Sequence, residues 1–227
     1  MATQIRAKSW ESGLKAYVRK VFSYMGLSMA ITAIVSYATI RTGFFEALIS
    51  QSGGFSPIGW AIAFGPLALI LFMRNLSATS SKVLLFSVAA LEGASLSLWI
   101  LFAGVHNAFT AFLLTSIIFG TMSLYGYVTD TDLTKMGSIL VMAVWGLLIV
   151  SIASIWFPVG IWFSYLVVAV FTGLIAYDMQ MIKRIYSAMG GTSEESDSIA
   201  VICALNLYLS FLNIFIHLLR ILNSSRR

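Results

Sequence analysis

Residues 136–157 read MGSILVMAVWGLLIVSIASIWF, 22 residues without a charged side chain. At about 1.5 Å per residue, such a run covers the roughly 30 Å hydrocarbon core of a bilayer. No water is present there to bond a free peptide group, so the run must satisfy its own hydrogen bonds as an α-helix. Six further apolar runs repeat the pattern: Val21 to Thr39, Ile58 to Met73, Val83 to Phe102, Ala108 to Leu124, Val159 to Tyr177 and Ile199 to Leu222. The implied class is an all-α integral membrane protein, a seven-helix transmembrane bundle. Residues 21–223 form its single helical domain, preceded by a segment at 1–20 and followed by a tail at 224–227. The second run is the shortest and holds Gly65-Pro66, where a missing helical donor predicts a kink.

Composition excludes the soluble alternative. The 227 residues are 59% hydrophobic and 10% charged, with a mean hydropathy of +0.91, whereas a soluble domain is about 25% charged. The net charge of +5 does not indicate a nucleic-acid partner, because the basic residues stand at the ends of apolar runs instead of clustering with aromatics. Cys203 is the single cysteine, which excludes an intrachain disulfide, and His106 and His217 offer no metal-ligand spacing. No cofactor is implied, and the first twenty residues lack the apolar core of a cleavable signal peptide.

With a cytoplasmic N-terminus, Arg6, Lys8, Lys15, Arg19, Lys20, Arg74, Lys82, Lys135, Lys183 and Arg184 all fall on the cytoplasmic side, leaving Arg41 as the basic residue of the outside loops. The positive-inside rule therefore predicts that orientation. The C-terminus stays open. A full seventh crossing places Arg220, Arg226 and Arg227 outside, and six spans plus a re-entrant last segment keep them inside.

Two carboxylates lie within apolar runs: Glu92 near the middle of the third and Asp178 toward the end of the sixth. An unpaired acid at mid-membrane costs about 2.5–3.5 kcal/mol on insertion scales. Each is either part of a polar, proton-sensitive pathway or a protonated acid bonded to a neighbouring helix; for Glu92 the adjacent Gly93, Ala94, Ser95 and Ser97 also fit close helix packing. In the last run, Asn206, Ser210, Asn213, His217 and Arg220 fall on one helical face, a polar stripe expected to avoid lipid. Arg74 ends the second run at the depth of Asp178, as a partner for it or as an anchor reaching the headgroups. Asp130 and Asp132 lack the other ligands of a calcium loop and read as a cap for the fifth helix. Glu194, Glu195 and Asp197 read as a solvated acidic turn, and Trp156 and Trp162 as interfacial anchors.

Several longer stretches carry a resemblance over essentially the whole chain. They are Ala-Leu-Glu-Gly-Ala-Ser-Leu-Ser at 90–97, Ser-Leu-Tyr-Gly-Tyr at 123–127 with Asp-Leu-Thr-Lys-Met-Gly at 132–137, Ala-Tyr-Asp-Met-Gln-Met-Ile-Lys at 176–183, and Ala-Leu-Asn-Leu-Tyr-Leu-Ser-Phe-Leu-Asn-Ile-Phe at 204–215. With these the chain resembles the transmembrane Bax inhibitor motif (Bax inhibitor-1) family, in its bacterial YccA-like branch. The resemblance implies a last helix wrapped by six others and a pH-sensitive calcium leak. It assigns Asp178 to the first aspartate of a paired proton sensor and Arg74 to the residue that latches the pair. The second aspartate is Ser210 in this chain.

Two carboxylates within hydrogen-bonding range share a proton, which is what makes such a pair a switch; an aspartate and a serine cannot. The expectation is a cation leak, with calcium as permeant and possible transient ligand at Asp178, whose pH gating is weaker or acid-shifted. Glu92, Asn206, Asn213 and His217 are its candidate pathway residues. The alternative is a non-conducting regulator of a membrane protease or other membrane stress-response partner, set in the bilayer of a bacterial inner membrane. An aspartyl protease needs two aspartates and Asp178 has no intramembrane aspartate partner, so no enzyme is expected.

Overall fold

The computed structural model describes residues 2–50, 54–72, 77–189 and 194–224, which leaves Arg74, Arg226 and Arg227 outside the described residues. The helices are α1 (Ala2–Thr42), α2 (Phe45–Leu48), α3 (Pro57–Phe72), α4 (Ala78–Ala103), α5 (Val105–Val128), α6 (Thr134–Ala153), α7 (Trp162–Ala188) and α8 (Glu194–Ser224). Every apolar run of the sequence is one of these, so the all-α membrane class holds. Among the described residues six helices are long and apolar enough to cross a membrane, and α3 is a shorter apolar helix. At 31 residues α8 is unbroken, or about 46 Å of helix, which favours a crossing last segment over a re-entrant one. It is also the most enclosed: 67% of its apolar window is buried, against 11% for α6.

Helix α1 begins 19 residues before the apolar run, with Lys15 paired to Glu11 one turn earlier at 2.7 Å. Pro66 lies inside a continuous α3. The adjacent Gly65 packs closely on α4: a Cβ there would sit 2.8 Å from Leu91 Cδ1. Ser56 caps α3, accepting the Gly59 N–H at 3.0 Å, with Pro57 at the first helical position where its missing donor is harmless.

The helices group into two compact units. The first comprises Met1–Phe102 and Tyr186–Tyr208, the second Ala103–Ile185 and Leu209–Arg227. In the first unit the core joins α1, α4 and the first half of α8. Ser28, Thr32, Ser36 and Thr39 form a buried hydroxyl face on α1, and Gly93 of α4 lies against it, with the place of its absent Cβ 2.6 Å from the Thr32 carbonyl oxygen. The Thr32 hydroxyl is 2.7 Å from the Tyr208 hydroxyl, 2.9 Å from the Ser28 carbonyl and 3.0 Å from the Ala89 carbonyl. With Tyr208 donating to Thr32, and Thr32 donating to the carbonyls, one node ties three helices together. Asp197 of α8 pairs with Lys20 of α1 and with Lys82 of α4, the latter at 3.1 Å. It is therefore a cross-link between helices and not the solvated turn that the sequence suggests.

The second unit is built on α6 and α7, whose Leu147, Val167, Val170 and Leu174 form a buried cluster flanked by Leu140, Val144, Phe163 and Tyr177. Close approach again depends on glycine. A Cβ on Gly126 of α5 would fall 2.2 Å from the Ala176 carbonyl oxygen, and one on Gly137 of α6 would fall 2.2 Å from the Tyr177 ring. Phe211 of α8 packs edge-on against Phe112 and Phe119 of α5, with ring centroids 5.8 and 5.7 Å apart.

Gly120, one and a half turns before Gly126 on α5, has nothing within 4 Å of its Cβ position. Gly120→Ala should therefore be neutral or stabilise by up to about 1 kcal/mol, whereas Gly126→Ala should destabilise by about 1–3 kcal/mol. Thermal unfolding of the two variants in detergent checks the contrast.

Candidate functional site

Asp178 sits in α7, half-buried, and the Ser210 hydroxyl of α8 is its side-chain hydrogen-bond partner. Ser210 itself is buried at 3% exposure. Ser210 therefore faces the carboxylate. The proposed Arg74 partnership lies outside the described residues.

The rest of the expected polar stripe divides. Asn206 is exposed. Asn213 donates to the Leu209 carbonyl of its own helix at 2.8 Å. His217 Nδ1 is 3.0 Å from the Ser164 hydroxyl of α7, with its ring edge-on to Phe163 at 5.6 Å. Arg220 donates to the Val159 carbonyl at 2.8 Å. A polar group in hydrocarbon takes the nearest partner, so a stripe at helical spacing resolves into separate local bonds. Glu92, in the first unit, is an electrostatic neighbour of the Tyr208 hydroxyl. It has no hydrogen-bond or ion-pair partner among the described residues, none of which form a three-ligand metal cluster either.

Residues beyond Asp178 on α7 carry contacts that sequence reasoning missed. Gln180 accepts the Leu133 N–H at 2.9 Å and donates to the Thr131 carbonyl at 2.8 Å. Lys183 donates to the Tyr127 carbonyl at 2.6 Å, and its ammonium lies 5.3 Å from the Tyr127 ring centroid. Arg184 reaches Asp132 at 2.5 Å, the Thr134 hydroxyl, and Gln180 at 3.0 Å. Asp132 meanwhile accepts the Thr134 N–H at 2.9 Å and the Thr134 hydroxyl at 2.6 Å. The N-cap position of α6 is Leu133, which has no side-chain cap bond, so Asp132 closes a turn just before the helix and is not its N-cap. The motifs at 123–127, 132–137 and 176–183 thus meet as one contact surface. Their signal was present as glycines and a glutamine at fixed spacing, without the pairing.

The Thr134 hydroxyl, then its N–H, then Arg184 hold the Asp132 carboxyl well below the usual carboxylate range. A depressed acid contributes stability that is present above its unfolded value, about 4, and lost only as pH falls through the lowered one. Asp132 therefore stays ionised between about pH 5 and pH 8, and this connection holds without titrating there.

For the Thr32 node, Thr32→Val leaves the Ala89 carbonyl without its side-chain donor and the Tyr208 hydroxyl without an acceptor, and should destabilise by about 1–3 kcal/mol. Tyr208→Phe removes one donor and leaves Thr32 bonded to the carbonyls, so about 1 kcal/mol is expected. Equilibrium unfolding in mixed micelles ranks the two.

The chain is 34% identical over 234 residues to a Rickettsia prowazekii protein, RP147, covering 100% of this chain and 97% of the relative. It is 34% identical over 226 residues to the inner membrane protein YbhL of Escherichia coli, covering 95% and 94%, and 34% identical over 218 residues to YrjE of Lactococcus lactis, covering 92% and 91%. The family model described as inhibitor of apoptosis-promoting Bax1 matches residues 14–227. The chain belongs to the Bax inhibitor-1 family and is an integral membrane protein of it.

Proposed function

We propose that the protein is a cation leak channel, with calcium as the permeant ion and a proton-modulated gate at Asp178. The observation that carries this reading is the carboxylate of a membrane-spanning helix set against Ser210 of α8. A carboxylate held inside a span marks an ion or proton pathway by default, and carboxylate, hydroxyl and amide oxygens are the hard ligands calcium accepts. Because position 210 offers a hydroxyl, the carboxylate has a donor and no second acid with which to share a proton. Gating is accordingly weaker or acid-shifted relative to a two-aspartate sensor. Asn213 and His217, on the same stretch of α8 as Ser210, belong to the pathway in this proposal. The protein lies in a bacterial inner membrane with a cytoplasmic N-terminus; the relative named as an inner membrane protein and the distribution of basic residues support this placement.

Calcium influx into proteoliposomes, read between about pH 5 and pH 8, tests the reading with Asp178→Ala beside the wild type. The expected outcome is a leak that the substitution alters. Folded protein that leaks no more than empty liposomes transfers the assignment to a non-conducting regulator of a membrane protease or stress-response partner.

A further inference from the structure

Five residues of α7 hold the segment that joins α5 to α6. The Ala176 backbone packs on Gly126 and the Tyr177 ring on Gly137, while Gln180, Lys183 and Arg184 bond residues between Tyr127 and Thr134. At 3.6 residues per turn these five fall within roughly 120° of one another, and Asp178 lies about 160° from the middle of that arc. One face of α7 is therefore gripped, and the opposite face carries the carboxylate that meets Ser210.

We infer that this grip sets the rotation of α7, that Gln180 is its principal positioning residue, and that the α5–α6 connection thereby regulates the contact between Asp178 and Ser210. The importance of that contact to permeation rests on the reading of Asp178 as a gating carboxylate; the positioning itself does not. A rotation of about 20° at a side-chain radius of about 6 Å displaces the carboxylate by about 2 Å. That is enough to break a hydrogen bond, which spans about 3 Å or less.

Gln180 outranks the neighbouring ion pair for a physical reason. Its side chain is 8% exposed and satisfies two backbone groups of the loop, whereas Arg184 and Asp132 are 42% and 70% exposed. Exposed pairs contribute little, and removing a buried amide strands the donor and acceptor it served. The two glycine contacts fix how closely the helices approach, and the amide fixes the register of the loop against α7.

The test reads proximity directly. In a Cys203→Ala background, Asp178→Cys and Ser210→Cys are introduced together and the rate of disulfide formation is followed in liposomes. Gln180→Ala should slow oxidation at least several-fold and Asp132→Asn should leave it unchanged. Gln180→Glu keeps the acceptor for Leu133 and Arg184 but loses the donor to Thr131, and should give an intermediate rate. Oxidation at the parent rate in Gln180→Ala overturns the inference; if that variant does not fold, the parent rate in Gln180→Glu overturns it. Calcium flux separates this outcome from failure of the functional reading. Gln180→Ala should change the leak when Asp178 is present and have no effect in an Asp178→Ala background. An Asp178→Ala variant that leaks like the wild type removes the channel reading alone, and the disulfide rates still decide the positioning role.

Discussion

A hydroxyl, amide or carboxyl inside a hydrocarbon layer has no water to fall back on, so it finds a partner in the protein or stays costly. In the first unit this constraint draws Thr32, Tyr208 and the Ala89 carbonyl into one node joining three helices. In the second it pairs Ser210 with Asp178, His217 with Ser164 and Arg220 with the Val159 carbonyl. Apolar packing is not selective in lipid, because helix faces and acyl chains are equally apolar. Polar pairing and glycine contacts therefore choose which helices meet. Gly93 on Thr32, Gly126 on Ala176 and Gly137 on Tyr177 let backbones approach closely enough for short side chains to bond.

Around Asp178, α7 has one face held by the α5–α6 connection and an opposite face that carries the carboxylate. Asp132 is ionised throughout the physiological range, and Gln180 does not titrate at all, so the grip on the α5–α6 connection is insensitive to protons. Asp178 lies on the far side of the same helix with a neutral hydrogen-bond donor against it. A gate needs such a contrast, since a carboxylate on a helix free to rotate would exchange partners without changing the state of a pathway. In the proposed function, protons act at the carboxylate while the scaffold that aims it is held constant.

The helices were legible because length and polarity alone dictate them, although the 136–157 run is helical only to Ala153 and its last four residues turn. The turn chemistry of Asp132 and the opposition of Asp178 to position 210 were also readable, the first from residue type and the second from the family resemblance, although Asp132 bonds Thr134 one residue before the N-cap position and not from it. Other features depend on which helices are neighbours. Ser28, Thr32, Ser36 and Thr39 look like ordinary small residues until α4 and α8 lie beside them, although their spacing of four, four and three residues is a one-face signal. Gln180 carries no signal of its own in the sequence, because its partners Leu133 and Thr131 lie in the loop between α5 and α6. Asp197 reads as solvated because the lysines it bridges lie 177 and 115 positions away in the chain. On α8 the stripe includes an exposed member, Asn206, because periodicity marks a face without saying where it stops being covered.

The proton dependence of calcium flux in Ser210→Asp, compared with wild type, tests the central claim most directly. The account predicts that restoring a second carboxylate opposite Asp178 makes the leak more steeply proton-dependent and moves its response toward neutral pH, since the pair can then share one proton. A flux profile that superimposes on that of the wild type, with the variant folded and inserted, would contradict the assignment of position 210 as the partner that tunes the Asp178 gate.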